Sequence, residues 1–200
     1  MKTMPTLICI PDISGFTEFM SDTEIDLSAK VVSALLNNVI YTNEIGLKIS
    51  EIEGDAVLFY KHGDLPPFDV LINQCKKFYI EFYKQLNSLY KKYKEHRESE
   101  NIQKMLGLKI ILHYGKEVGS VAIGKNIKLM GEDIITAHRL LKNKIPINEY
   151  LLLSGELLNQ YKDNQIDVNF EWANLKSRDT SYKHIGEISY KYINLEPLLT

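Results

Sequence analysis

The segment LKISEIEGDAVLFYKHG, residues 47 to 63, reads as two runs of β-forming residues around Gly54-Asp55. A glycine in a short turn between such runs joins antiparallel strands, so a hairpin is expected here. Its flanks constrain the fold. Residues 6 to 11 form a short apolar strand, and TEIDLSAKVVSALLNNVIYTNE places Val32, Leu35, Leu36 and Val39 at helical spacing behind Ser, Asp and Thr capping residues, in a helical region broken near its start. After Pro66-Pro67, Leu71, Cys75, Phe78, Phe82, Leu86 and Leu89 make one apolar stripe along a long helix. LGLKIILHYGKEVGSVAIGKNIKLMG then alternates through two strands, with breaks expected at Gly115 and Gly119. The order β-α-β-β-α-β predicts an α+β fold, a ferredoxin-like sheet with its helices on one face. A C-terminal extension follows: a helix EDIITAHRLLKN stopping before Pro146, a strand and short helix in EYLLLSGELLNQYK, and strands in VNFEWANL and EISYKYINLEP.

Two hundred residues without a linker, repeat or low-complexity stretch read as a single domain, residues 1–200. With 24 basic against 26 acidic side chains, no global field draws in nucleic acid or an anionic membrane, and neither partner is expected. Two cysteines, Cys9 in an apolar strand and Cys75 on an apolar helix face, supply neither a disulfide framework nor a paired-cysteine zinc motif. The apolar runs are far shorter than the ~20 residues that span a bilayer, and no cleavage signal follows Lys2, so the expected location is cytoplasmic. KKYKEHRESENIQK mixes both charge signs and reads as a solvated helix end and loop.

Chemistry enters with ICIPDISGFTEF, residues 8 to 19, where a buried strand runs directly into Asp12. A carboxylate at such a place must be paired, hydrogen-bonded or bound to a cation. Asp12 therefore either caps the next helix or holds an ion. Asp55 lies at the turn of the hairpin, and in a ferredoxin-like sheet the first strand runs beside that hairpin. Two carboxylates and a backbone carbonyl form an oxygen-rich site suited to Mg²⁺ or Mn²⁺.

PDISGFTEF resembles the first metal-binding segment of class III nucleotide cyclase catalytic domains, a strand ending in aspartate followed by Ile, a spacer, Gly, Phe and Thr. EIEGDAVLFY is similar to that family's second metal segment, and LMGEDIITAHRLL to its dimer-site helix. The resemblance implies a homodimer that turns a nucleoside triphosphate into a cyclic 3′,5′-nucleotide and pyrophosphate by two-metal catalysis. It places the two ions on Asp12, Asp55 and the Ile13 carbonyl, with Gly15 and Phe16 in the nucleotide-binding segment that follows. Arg139 takes the place of the arginine that stabilises the transition-state phosphate across the dimer interface. Base selection falls on Glu51 and Lys128, each three residues before a motif glycine, and Lys183 in YKHIGEISY is the nearest candidate for a phosphate-binding lysine.

This chain departs from the pattern where substrate is oriented. Ile135 replaces the asparagine that holds the ribose and cannot hydrogen-bond. Glu51 resembles guanylate cyclases, whereas Lys128 matches neither adenylate nor guanylate enzymes, which leaves the base open. Plainer readings stand beside these: Glu51 and Glu53 as solvated strand residues, Lys128 and Arg139 as exposed surface, His113 and His138 as structural or surface side chains. Two further functions compete with the cyclase: a cyclase-like module that binds nucleotide without turnover, and a two-metal nucleotidyl transferase on a related palm-like fold.

Overall fold

A computed structural model describes residues 3–124, 126–162, 166, 169–183 and 185–200. The elements in chain order are β1 (Thr3–Ser14), α1 (Phe16–Asp22), α2 (Ile25–Tyr41), β2 (Lys48–Glu53), β3 (Ala56–His62), α3 (Phe68–Lys92), α4 (Glu100–Met105), β4 (Gly107–Ile123), β5 (Asn126–Met130), α5 (Glu132–Leu141), β6 (Tyr150–Ser154), α6 (Gly155–Leu158), β7 (Lys176–Tyr182) and β8 (Gly186–Asn194), closed by a 3₁₀ turn at Glu196–Leu199. The sheet runs β2-β3-β1-β4-β6-β8-β7, and β5 pairs with the far end of β4. Its first four strands, antiparallel throughout, are the ferredoxin-like core. β6 joins parallel to β4 and carries the C-terminal extension.

The period-2 alternation of β1 builds two cores. Leu7, Cys9 and Ile13 face α2 and α3, where every member of the stripe from Leu71 to Leu89 is buried. Ile8 and Ile10 face the opposite way, onto Ile134, Ala137 and Leu140 of α5. The expected α+β fold is thus present with one difference: α5 covers the face that the sequence reading left bare. Its apolar residues at i, i+3 and i+6 need a surface, and the bulk of α2 and α3 already fills the other side.

Two local expectations also change. Gly115 and Gly119 do not end β4, which runs through both; the irregularity is one extra β4 residue, since its pairing with β1 passes from Thr6↔Gly115 to Met4↔Val118. Gly115 serves packing instead, since a Cβ there would press on Val118 and on Asp133 of α5. VNFEWANL is not a strand in its described part, Val168 lying outside the described residues. Phe170 packs edge-on to Phe68 and Trp172, and the Trp172 indole donates to the Asn194 carbonyl at 2.8 Å, so these aromatics plug the end of the larger core, and strand pairing begins at Lys176. The charged segment after α3 includes one short helix, α4. No described helix is long and apolar enough to cross a membrane.

One buried polar cluster locks α3 to the sheet. Glu149 accepts hydrogen bonds from Tyr79 Oη at 2.8 Å, from Tyr83 Oη, and from the Leu108 amide at 3.4 Å. Both carboxylate oxygens are satisfied, so the buried side chain is held where β4 begins and β6 is about to begin.

Candidate functional site

Asp12 lies at the end of β1, opposite Ala56 of β3 on one side and Lys109 of β4 on the other. The Ile13 amide donates to the Asp55 carbonyl at 2.9 Å, which ties the β2–β3 turn to the end of β1. The two aspartates that are 43 positions apart in sequence therefore meet at one end of the sheet. Asp12 is 8% exposed, and its Oδ1 has no hydrogen-bond partner. Lys109 Nζ stands 3.3 Å from that oxygen as an ion pair. Burial pushes the Asp12 carboxyl up to about 6; Lys109 opposes the shift, and the charge of Asp55 adds to it. Asp55, half-buried, is also raised by burial, against its own backbone amide and Lys109. One ammonium thus serves two carboxylates that repel each other.

The adjoining turn is fixed by packing. Gly15 adopts φ 76°, and a Cβ there would collide with the Met105 carbonyl at the end of α4. Phe16 packs into the larger core, its ring edge 4.0 Å from where a Cβ on Gly54 would stand, so the β1–α1 turn and the hairpin turn support each other.

A second group of polar residues gathers around β2. Glu51 Oε2 pairs with Lys128 Nζ of β5 at 3.2 Å, which brings together the two residues expected to read a base. Its other oxygen is 3.7 Å from His138 Nε2 on α5, and Glu53 Oε2 is 3.9 Å from His138 Nδ1. These residues and Ile135 line one depression of about 380 Å³. Ile135 is 54% exposed, and Ile49, Ile52, Ile123, Ile127 and Met130 are exposed as well, an apolar surface carried by β2, β5, α5 and the tip of β4. Arg139 is exposed on α5, near enough to Tyr182 at the end of β7 that its charge opposes the rise in that phenol's pKa caused by burial and Tyr190; Lys183 is exposed in the turn that follows. Among the described residues, no hydrogen bond or ion pair joins Glu51, Lys128, Arg139 or Lys183 to Asp12 or Asp55.

Sequence reasoning did not find Lys109, because its place beside Asp12 depends on the β1–β4 register. Nor did it unite His138 with Glu51 and Glu53, although the i, i+2 spacing of the glutamates already put them on one strand face. His113 is buried and structural: Nδ1 lies 2.9 Å from Ser154 Oγ, and Nε2 3.4 Å from Asp133 Oδ1.

Comparison with known proteins fits this geometry. The structure aligns with the guanylyl cyclase Cya2 at TM-score 0.65 and 14% identity, covering 96% of this chain and 92% of that one. It aligns with the adenylyl cyclase CyaB from P. aeruginosa at TM-score 0.58 and 17% identity, covering 96% and 94%. The chain has the fold of class III adenylyl and guanylyl cyclase catalytic domains. It is also 30% identical over 172 residues to the uncharacterized protein Rv2561/Rv2562 of Mycobacterium tuberculosis (strain ATCC 25618 / H37Rv), covering 82% of this chain and 73% of the relative. Residues 32–150 match the model of one protein family, and the chain belongs to that family, described as "Protein of unknown function (DUF2652)".

Proposed function

We propose that the chain is a divergent class III nucleotide cyclase that works as a homodimer on a nucleoside triphosphate with Mg²⁺ or Mn²⁺. The observation that carries the reading is the buried Oδ1 of Asp12, which has no hydrogen-bond partner and only the Lys109 ammonium as an ion pair, at a strand end to which the Asp55 turn is hydrogen-bonded. An all-oxygen donor set of two carboxylates and the Ile13 carbonyl suits a hard divalent ion, and their mutual repulsion favours one. When bound there, the ions would supply charge neutralisation at the triphosphate and a lowered pKa for the ribose 3′-hydroxyl. Asp12, Asp55 and Ile13 hold them. Lys109, released from Asp12, stays within the site as a partner for phosphate oxygens. Gly15 and Phe16 shape the turn against which the triphosphate lies.

The other half of the site comes from a second copy of the chain, because among the described residues no polar contact within one copy links the two groups. There Glu51 and Lys128 read the base, Arg139 stabilises charge at the reacting phosphate, and Lys183 binds phosphate. The exposed isoleucines around Ile135 provide the apolar contact between copies.

A second reading has its own observation. Ile135 offers the ribose no hydrogen bond, and Glu51 and Lys128 already neutralise each other at 3.2 Å. Both features favour a module that binds nucleotide without turning it over. The test is a panel of ATP, GTP, CTP and UTP with Mn²⁺, assayed for binding and for cyclic product. Metal-dependent cyclic product supports the cyclase; binding without product supports the module; neither binding nor product refutes both.

A further inference from the structure

Glu51 and Glu53 project from one face of β2, and His138 reaches them from α5. One donor atom from each of the three lies within 4.8 Å of the other two. The imidazole nitrogens stand 3.7 and 3.9 Å from the carboxylate oxygens, beyond the ~3.2 Å limit of a good hydrogen bond, so no shared proton holds the group together. Lys128 engages only the far oxygen of Glu51, leaving Glu51 Oε1 and Glu53 Oε2 turned toward the ring. A strand and a helix, both rigid, supply the three side chains, and the depression beside them is open to solvent.

Two carboxylates and one imidazole suit a borderline divalent ion such as Zn²⁺, with water completing a four-coordinate shell. Mg²⁺ prefers oxygen donors throughout. Bonds of ~2.1 Å require the donors to close to about 3.4 Å from one another. Rotation of the Glu53 and His138 side chains, 55% and 33% exposed, provides that movement. We propose that Glu51, Glu53 and His138 form a binding site for a transition-metal dication of the Zn²⁺ type, separate from Asp12 and Asp55. If Glu51 also reads the base, as proposed above, an ion here competes with nucleotide; the binding itself does not rest on that reading.

Co²⁺ serves as the spectroscopic probe, titrated into the full chain while its visible ligand-field absorption is followed, with Zn²⁺ as competitor. The wild type is expected to bind one Co²⁺ in this absorbing form, displaced by Zn²⁺ and not by excess Mg²⁺. His138→Ala and Glu53→Gln are each expected to weaken that binding at least about tenfold, while Asp12→Asn leaves it unchanged. Lys128→Met, which removes the competing ammonium, is expected to strengthen it several-fold, a gain that misfolding cannot produce. An absorbing complex that survives His138→Ala at full affinity, that disappears in Asp12→Asn, or that never forms in the wild type overturns the proposal.

Discussion

Asp12 and Lys109 face each other across one rung of β1 and β4, with Nζ 3.3 Å from a buried carboxylate oxygen that has no hydrogen-bond partner. The lysine lowers the proton affinity of Asp12 but does not cancel what burial and Asp55 add. Without a divalent ion, the site is under electrostatic strain.

That strain has a pH signature. The folded-state value of Asp12, about 6, lies above the ordinary carboxylate value of ~3.9, so the native state holds this proton more tightly than the unfolded chain does. The contribution to stability is fully present below pH ~4 and is lost as pH rises through 6, a difference of about 3 kcal/mol at most. Asp12→Asn is expected to raise the unfolding midpoint in metal-free buffer at pH 7 and to have little effect at pH 4. Urea titrations at both pH values check this; equal effects at both would contradict it.

Gly15 tests the packing under the site. Its positive φ and the collision of any Cβ with the Met105 carbonyl make Gly15→Ala destabilising by about 2 kcal/mol or more. Denaturant unfolding of this variant against Gly46→Ala separates the two causes, since Gly46 also has positive φ but meets nothing within 4 Å. Gly15→Ala should cost clearly more.

Glu149 should behave as a structural carboxylate. Removing it with Glu149→Ala leaves the buried Tyr79 hydroxyl, the half-buried Tyr83 hydroxyl and the Leu108 amide without their acceptor, an expected loss of about 3 kcal/mol or more. Tyr83→Phe removes one donor and is expected to cost about 1 kcal/mol. Calorimetric unfolding of both variants gives the ordering.

The exposed isoleucines predict self-association. Ile127→Glu is expected to shift sedimentation of the chain with nucleotide and Mn²⁺ toward the monomer, because it places a charge within the apolar surface.

What the sequence revealed and what it hid divide along physical lines. Asp12 and Asp55 could be read because each interrupts a local pattern, one at the end of an apolar run and the other in a glycine turn, and the hairpin order places those two breaks side by side. The stripe of α3 was legible for the same reason, a 3.6-residue period that needs no partner to be seen. Lys109 was hidden because its neighbour is fixed by register across strands nearly a hundred residues apart. His138 was hidden because the order of elements points to helices on one face alone, and only the position of α5 on the opposite face sets it beside β2. Gly115 misled for a different reason: glycine marks a turn and a close approach with the same letter, and here the approach of α5 required it.

The central claim is that Asp12 and Asp55 form a divalent-cation site, and the most direct measurement is Mn²⁺ binding by electron paramagnetic resonance. The His138→Ala background keeps the Glu51 cluster from contributing, and Asp12→Asn and Asp55→Asn are added to it singly, each titrated with and without nucleoside triphosphate. Each aspartate substitution is expected to weaken Mn²⁺ binding at least about tenfold, with nucleotide tightening binding only when both aspartates are present. Mn²⁺ affinity unchanged by either substitution would contradict the account.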